Sequence, residues 1–520
     1  MEAPPESRIA SSERWLVVAL LVVALALRVL GIDAPWSGKG FGSAIGAFST
    51  AEFVDNWHAH GPSESGGMPY RWRVELADGS VEREWYAHHP ATRAWISWLS
   101  TSLFGFTEWA VRLPWVIGSM ALPLALWAAL RRLFGRGVAL GGLALVASVP
   151  LAAHYAPMAW VDNGIMTAVM VVMVLRFLVW LERGERRDLI WAAAAALVGG
   201  CLDWSLAMAL PALGVAALGV AWKRRNARPV AGYLWLPGML FVAVTAHAGH
   251  MLFVFGFEEL WQDFTNTWSR TRSSHVEWNH FFAVQGRALL HNLGAATIAV
   301  AALGLVEVAL RARRLGALRV WSLAALLLPG ALYVFVFPFR GANHDFMWIH
   351  SIGGVAALVG FGLLLVARLP QGRWVAGAAA LVLVGIGARA TIARERETSS
   401  DAVRLASEHA QLAPLLNDPD GVIVTAMGQS WTLMPYSRTP IVPRVDQIDE
   451  LERLRTKVLG RLEPERPVHF LFDVQFHRVH APLREYLRAH APPPVALLDG
   501  LHADPIVAFE IYDLGAWVTR

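Results

Sequence analysis

Cysteine is nearly absent: Cys201 is the only one in 520 residues, which excludes an internal disulfide framework and any cysteine-rich metal site. Charge is sparse, at 17% of residues. The arginines are dispersed over several loops rather than gathered in one stripe, which excludes a nucleic-acid-binding surface. No 20–50-residue repeat is visible, so a solenoid is excluded, and there is no inverted pair of broken spans of the transporter kind. The first apolar run has no small-residue cleavage motif close behind it, so it reads as a retained span rather than a removed signal peptide.

What the sequence has in abundance is apolar residues, 55% of the chain, with a mean hydropathy of +0.41. Runs of about 20 such residues cover a hydrocarbon core of roughly 30 Å, and about eleven can be marked: 15–31, 112–130, 137–153, 164–181, 189–202, 205–222, 231–255, 293–310, 318–337, 346–367 and 374–392. Basic residues fall in alternate connections: Arg131, Arg132 and Arg136; Arg183, Arg186 and Arg187; Lys223 to Arg228; Arg311 to Arg319; Arg368 and Arg373. The positive-inside tendency makes those connections cytoplasmic.

The expected fold class is therefore an all-α polytopic membrane domain of about eleven helices with a small extracytoplasmic C-terminal α/β domain. Residues 1–14 form a cytoplasmic tail, 15–393 the transmembrane domain with 32–111 as a long extracytoplasmic loop, and 394–520 the α/β domain. The expected location is a bacterial inner membrane.

Within the long loop, Tyr70 to Tyr86 alternates polar and apolar residues around Asp78-Gly79, a hairpin signal. The C-terminal segment reads as helix 401–416, strand 421–426, helix 445–462, strand 468–473, helix 481–490 and strand 495–498.

The membrane domain's histidines, from His58 to His350, all fall in or near its outward half on this topology, and none lies in a cytoplasmic connection. Carboxylates gather at outward span ends too: Asp162, Asp203 and Asp345. Charges near bilayer depth cost roughly 2.5–3.5 kcal/mol unless they face a cavity or a partner, which makes them functional candidates. Helix capping is the alternative, notably for Asp162 ahead of Asn163-Gly164. His247 and His250 stand i, i+3 and have the spacing to ligate a divalent metal. Interfacial histidines at a helix end are commoner, so no cofactor or metal is assigned. Arg270 and Arg272, with Trp261, Trp268 and His275, lie in a long outward connection where a phosphate ester would need cations. Arg340-Gly341-Ala342-Asn343-His344-Asp345 is the best late polar cluster.

One stretch carries a family resemblance. Tyr86-Ala87-His88-His89-Pro90, about twenty residues ending in Phe104-Gly105, and then Glu108-Trp109-Ala110-Val111-Arg112-Leu113-Pro114 resemble the first part of family 39-type glycosyltransferases of the GT-C fold. These are relatives of dolichyl-phosphate-mannose protein mannosyltransferases and of the lipid A aminoarabinose transferase. Asp55 to Gly61 is similar to that family's Ala-Arg-Asn helix ending in glycine. The resemblance is good over about 15–180, topological to about 392, and absent beyond.

It implies transfer of a hexose or pentose from a polyprenyl-phosphate donor in the membrane lipid to an extracytoplasmic acceptor hydroxyl on a lipid, glycan or protein. Such a reaction needs a general base and groups that hold the leaving phosphate. The family's early Asp-Glu pair is missing from Ser43 to Phe48, and the expected arginine is Asp55. Asp55 and Asp162 are accordingly the leading candidates for the base, with Glu52 and Asp33 as others. His88, His89, Arg112, Asp203, Arg270, Arg272, Arg340, His344 and Asp345 are candidates for substrate binding, and Arg112 has the alternative of locking the loop to the second span. The competing reading is a non-catalytic carrier-lipid-binding or transport and assembly protein on the same scaffold.

Overall fold

The computed structural model describes residues 11–35, 43–86, 89–159, 164–273, 277–338, 345–425, 437–442, 445, 447–473, 481–494, 496–498 and 509–518. The apolar runs are helical, because backbone groups in a bilayer must bond within their own segment. Among the described residues, eight helices, from Glu108–Phe134 to Gly372–Ser400, are long and apolar enough to cross a membrane. The remaining runs are occupied by α1 (Ser11–Arg28) and the shorter helices Arg136–Ser148 and Arg186–Leu202. The chain is a multi-pass membrane protein, mostly helical, with a small C-terminal α/β domain, which is the expected class.

The helix Ile352–Val366 sits at the centre and packs against Arg136–Ser148, Ala295–Leu315 and Ala317–Val336. Its neighbours approach so closely that a Cβ at Gly360 would lie 2.3 Å from the Val138 carbonyl oxygen, and one at Gly362 2.2 Å from that of Val300. Only glycine permits those contacts.

The two ends of the bundle differ in charge. At one end, arginines from alternate connections meet buried carboxylates: Glu13 pairs with Arg131 at 3.8 Å and Arg136 at 3.2 Å, and Glu307 with Arg311 and Arg368 at 2.5 and 2.6 Å, while Arg176 of the helix Gly164–Arg183 pairs with Asp188 at 3.0 Å. We call this the arginine end. The opposite end carries the segment between the first two spans and the C-terminal domain, and we call it the site end.

Between the first two spans, α2 (Ser43–His60) is followed by a hairpin of β1 (Tyr70–Glu75) and β2 (Val81–Trp85), and then by α3 (Thr92–Phe104). The hairpin turns where the sequence signals it: Gly79 has φ +75°, and the Asp78 carboxylate accepts from the Ser80 amide at 2.9 Å. α3 stops at Gly105, φ +85°. The stretch 257–291, read from sequence as a long connection, is largely helical. Helix Trp235–Ser273 kinks at Gly256 (φ 82°, ψ 179°) and continues, and Trp278–Leu293 follows.

In the C-terminal domain, β3 (Val422–Thr425), β4 (Ile441–Val442), β5 (Val468–Asp473), β6 (Ala496–Leu498) and β7 (Phe509–Asp513) form a sheet of order β4-β3-β5-β7-β6. β3 runs parallel to β4 and β5, whereas β7 is antiparallel to β5 and β6. The sequence reading contained β3, β5 and β6 and lacked β4 and β7. Helix Ala481–His490 falls where expected, and Ile448–Lys457 is shorter than the expected 445–462. The helix that carries the last apolar run continues past 392 as one helix, Gly372–His409, toward the C-terminal domain.

Candidate active site

α2 and α3 are held together by aromatic packing at the site end. Trp57 lies 4.8 Å from Trp95 and Phe53 4.9 Å from Tyr86, centroid to centroid, and His58 Nε2 is 2.8 Å from Thr101 Oγ1. The fully buried Arg93 guanidinium lies over the rings of Tyr86 at 4.3 Å and Phe53 at 5.0 Å, while Arg71 covers Tyr86 at 5.2 Å. A desolvated cation over an aromatic face is attracted by the ring quadrupole.

The start of α3 is clamped to the turn at Asp203. His89 Nδ1 is 2.8 Å from Asp203 Oδ2, the Ser205 amide donates to Asp203 Oδ1 at 2.7 Å, and Thr92 Oγ1 donates to the Cys201 carbonyl at 2.6 Å. Tyr86 stacks on His89 at 6.0 Å. Burial alone would raise the Asp203 carboxyl, but the hydrogen bond and charge of His89 together with the Ser205 amide outweigh it and hold the group below the usual carboxylate range. Two candidates separated by 114 residues thus form one buried pair.

Asp55 lies on α2, part-buried, with no ion-pair or hydrogen-bond partner among the described residues. Desolvation pushes its carboxyl up to about 6. Thr50, little more than one turn earlier on the same helix, donates to the Ala159 carbonyl at 2.5 Å, which brings α2 against the segment that precedes Asp162. Glu52 is buried.

Arg112 donates to the carbonyls of Ile32 at 3.1 Å and Pro35 at 3.3 Å, and to that of Ala34. This is the loop-locking alternative: the guanidinium ties the segment after α1 to the helix Glu108–Ser119. His88, Asp162, Arg340 and His344 lie outside the described residues, as do the side chains of Arg270, Arg272 and Asp345. His247 packs edge-on to Trp204 at 5.8 Å, whereas His250 Nε2 meets the Gly66 carbonyl at 2.7 Å, so the two rings serve different contacts. Among the described residues no group of three or more His, Cys, Asp or Glu is placed to hold a metal ion.

A second polar cluster at this end was not singled out from sequence. His154 pairs with Glu395, and Arg394 donates to the Tyr155 hydroxyl and to Asn292 Oδ1 while its guanidinium lies 4.8 Å from the Tyr155 ring. In the sequence, Arg394 and Glu395 stand only at the expected boundary between the membrane domain (15–393) and the α/β domain (394–520). The available signal was a carboxylate and an arginine at the end of the last span, on the side where the histidines gather.

Residues 88–248 match the family model described as dolichyl-phosphate-mannose-protein mannosyltransferase. The structure of ArnT from Cupriavidus metallidurans bound to undecaprenyl phosphate is similar over 98% of this chain and 100% of its own, with TM-score 0.60 and 16% identity. The chain has the GT-C fold. The GT-C protein AglB from Archaeoglobus fulgidus, in complex with an inhibitory peptide and a dolichol-phosphate, aligns over 98% of this chain and 78% of its own, with TM-score 0.53 and 12% identity. No curated protein matches the sequence. The GT-C resemblance read from Tyr86–Pro90 and Glu108–Pro114 is borne out, and the structural likeness extends over most of the C-terminal segment, where the sequence resemblance was absent.

Proposed function

We propose that this protein is a membrane glycosyltransferase that moves a hexose or pentose from a polyprenyl-phosphate donor to an acceptor hydroxyl at its site end. The observation that carries the reading is Asp55. A part-buried carboxyl with no partner among the described residues, raised to about 6, is ionised at neutral pH yet basic enough to take a proton from an attacking hydroxyl. In this mechanism Asp55 accepts the acceptor's proton, the acceptor oxygen bonds to the anomeric carbon, and the bond from that carbon to the phosphate oxygen breaks. Polyprenyl phosphate leaves carrying the electron pair. Asp162 is the alternative base.

The buried His89–Asp203 pair fixes the start of α3 and with it the wall facing α2. Arg270, Arg272 and Arg340 are proposed to hold the leaving phosphate, with His88, His344 and Asp345 binding donor or acceptor. Arginine is suited to that task by its paired donors. We place the protein in a bacterial inner membrane, with the arginine end cytoplasmic and the C-terminal domain outside, as the distribution of basic residues indicates. ArnT and AglB, whose structures hold undecaprenyl phosphate and dolichol-phosphate, support the donor class by likeness of fold.

The test is transfer of radiolabelled sugar in proteoliposomes from a panel of polyprenyl-phosphate sugars to co-purified lipid or peptide acceptors. Wild type is compared with Asp55→Asn and Asp162→Asn. Turnover lost on Asp55→Asn in a folded protein is the expected result. Donor binding without turnover would support the non-catalytic carrier-lipid reading, and neither binding nor turnover would overturn the transferase reading.

A further inference from the structure

The β1–β2 hairpin touches two bodies at once, and a local irregularity makes that possible. Tyr70 pairs with Trp85 and Arg73 with Arg83, so Arg71 and Trp72 together face the single residue Glu84. This is a β-bulge. Side chains alternate along a strand, and one extra residue moves everything beyond it to the opposite face. Before the bulge, Tyr70 is fully buried with Phe53 and Trp57 of α2. Beyond it, Val74 and Leu76 are buried in the core of the C-terminal domain, with Val422, Phe470 and Trp517.

Hydrogen bonds follow the same division. Asn56 Nδ2 donates to the carbonyls of Tyr70 at 3.0 Å and Arg71 at 2.9 Å, at the bulge, and the Tyr70 hydroxyl donates to the Asn56 carbonyl at 3.4 Å. At the far end the Ala77 amide donates to the Arg461 carbonyl at 2.9 Å, Arg466 donates to the Glu75 carbonyl at 2.8 Å, and the Arg461 guanidinium meets Asp78 at 2.9 Å and Glu82 at 3.3 Å. Exposed ion pairs such as those of Arg461 contribute little, so Val74 and Leu76 are the main anchors.

We propose that the C-terminal α/β domain governs the position of α2 through this hairpin, and that Asn56 is a positioning residue that sets the orientation of its neighbour Asp55. The inference rests on the reading of Asp55 as the base. The coupling itself does not, and can be measured without turnover. The bulge carbonyls fix Asn56, Asn56 fixes that turn of α2, and Asp55 is carried by the same turn. A ligand or partner bound to the C-terminal domain would reach the active site by this route.

The experiment is hydrogen exchange read by mass spectrometry on the full chain in lipid nanodiscs, with wild type, Leu76→Ala and Asn56→Leu. Leu76→Ala weakens the hairpin's hold on the C-terminal domain, and Asn56→Leu its hold on α2. Both are expected to speed exchange of the α2 amides from residue 51 to 60 by about tenfold or more, because local opening free energy sets protection. Asn56→Leu should leave the C-terminal sheet as protected as in wild type.

In the transfer assay both variants should lower kcat more than they change KM. The acid limb of the pH profile should fall from about 6 toward the ordinary aspartate range as Asp55 regains water. Faster exchange in the C-terminal sheet with α2 unchanged in Leu76→Ala would overturn the coupling. Loosened α2 with kcat and the acid limb unmoved would overturn the positioning role. If Leu76→Ala does not purify folded, Asn56→Leu carries the test, since it leaves the C-terminal core intact. Absence of turnover in wild type would count against the proposed function alone, and the exchange result would still decide the coupling.

Discussion

Asp55 and the His89–Asp203 pair solve the burial of charge in opposite ways. Asp55 is desolvated and has no partner among the described residues, so its folded-state value, about 6, lies above the ordinary aspartate value near 3.8. Between those values the unfolded chain holds fewer protons than the folded one, so the group's stabilising effect is complete below about pH 4 and is lost as pH rises through about 6. Asp55→Asn should therefore stabilise the protein at pH 7.5, by up to about 3 kcal/mol, and change little at pH 4; thermal melts in detergent at the two pH values check this. Asp203, by contrast, is paired with His89. Removing one member of a buried pair leaves the other charge uncompensated, so Asp203→Ala should cost about 3–5 kcal/mol, well beyond Asp203→Asn. Equal melting temperatures for those two variants would contradict the pairing.

At the scale of elements, the spans were legible because about 20 apolar residues leave helix as the only solution in lipid. The hairpin was legible because Asp78-Gly79 specifies its turn. β4 was not, being only Ile441–Val442, and β7 was not because its pairing to β5 and β6 is a tertiary fact that periodicity does not carry. The site shows the same limit. His89 stood out by its motif and Asp203 by its span end, but their contact crosses 114 residues. His154 and Glu395 are farther apart still, and Glu395 lies just past the expected end of the membrane domain at 393, with no motif to mark it. Helix packing offers its own test: Gly360→Leu would drive a side chain into the Val138 backbone, which cannot give way as a flexible side chain could. The expected outcome is a steep loss of folded protein on size-exclusion chromatography, with Gly377→Leu, where a Cβ meets nothing within 4 Å, as the tolerated control.

Across the whole molecule, polar groups are divided between two ends. Arginines paired with buried carboxylates close one end, while imidazoles, aromatic rings and the carboxylate of Asp55 gather at the other, beneath the C-terminal domain. That polarity, on a GT-C fold, is what the proposed transferase would need, with its donor held in the bilayer and its acceptor arriving from one side. The central claim is that Asp55 is the base. The most direct measurement is the pH dependence of sugar transfer in proteoliposomes for wild type and Asp55→Asn. The account predicts a wild-type rate that rises with pH through about 6 and a loss of roughly 10²–10⁴-fold in Asp55→Asn. Asp55→Asn turning over at the wild-type rate, with the same acid limb, would contradict it.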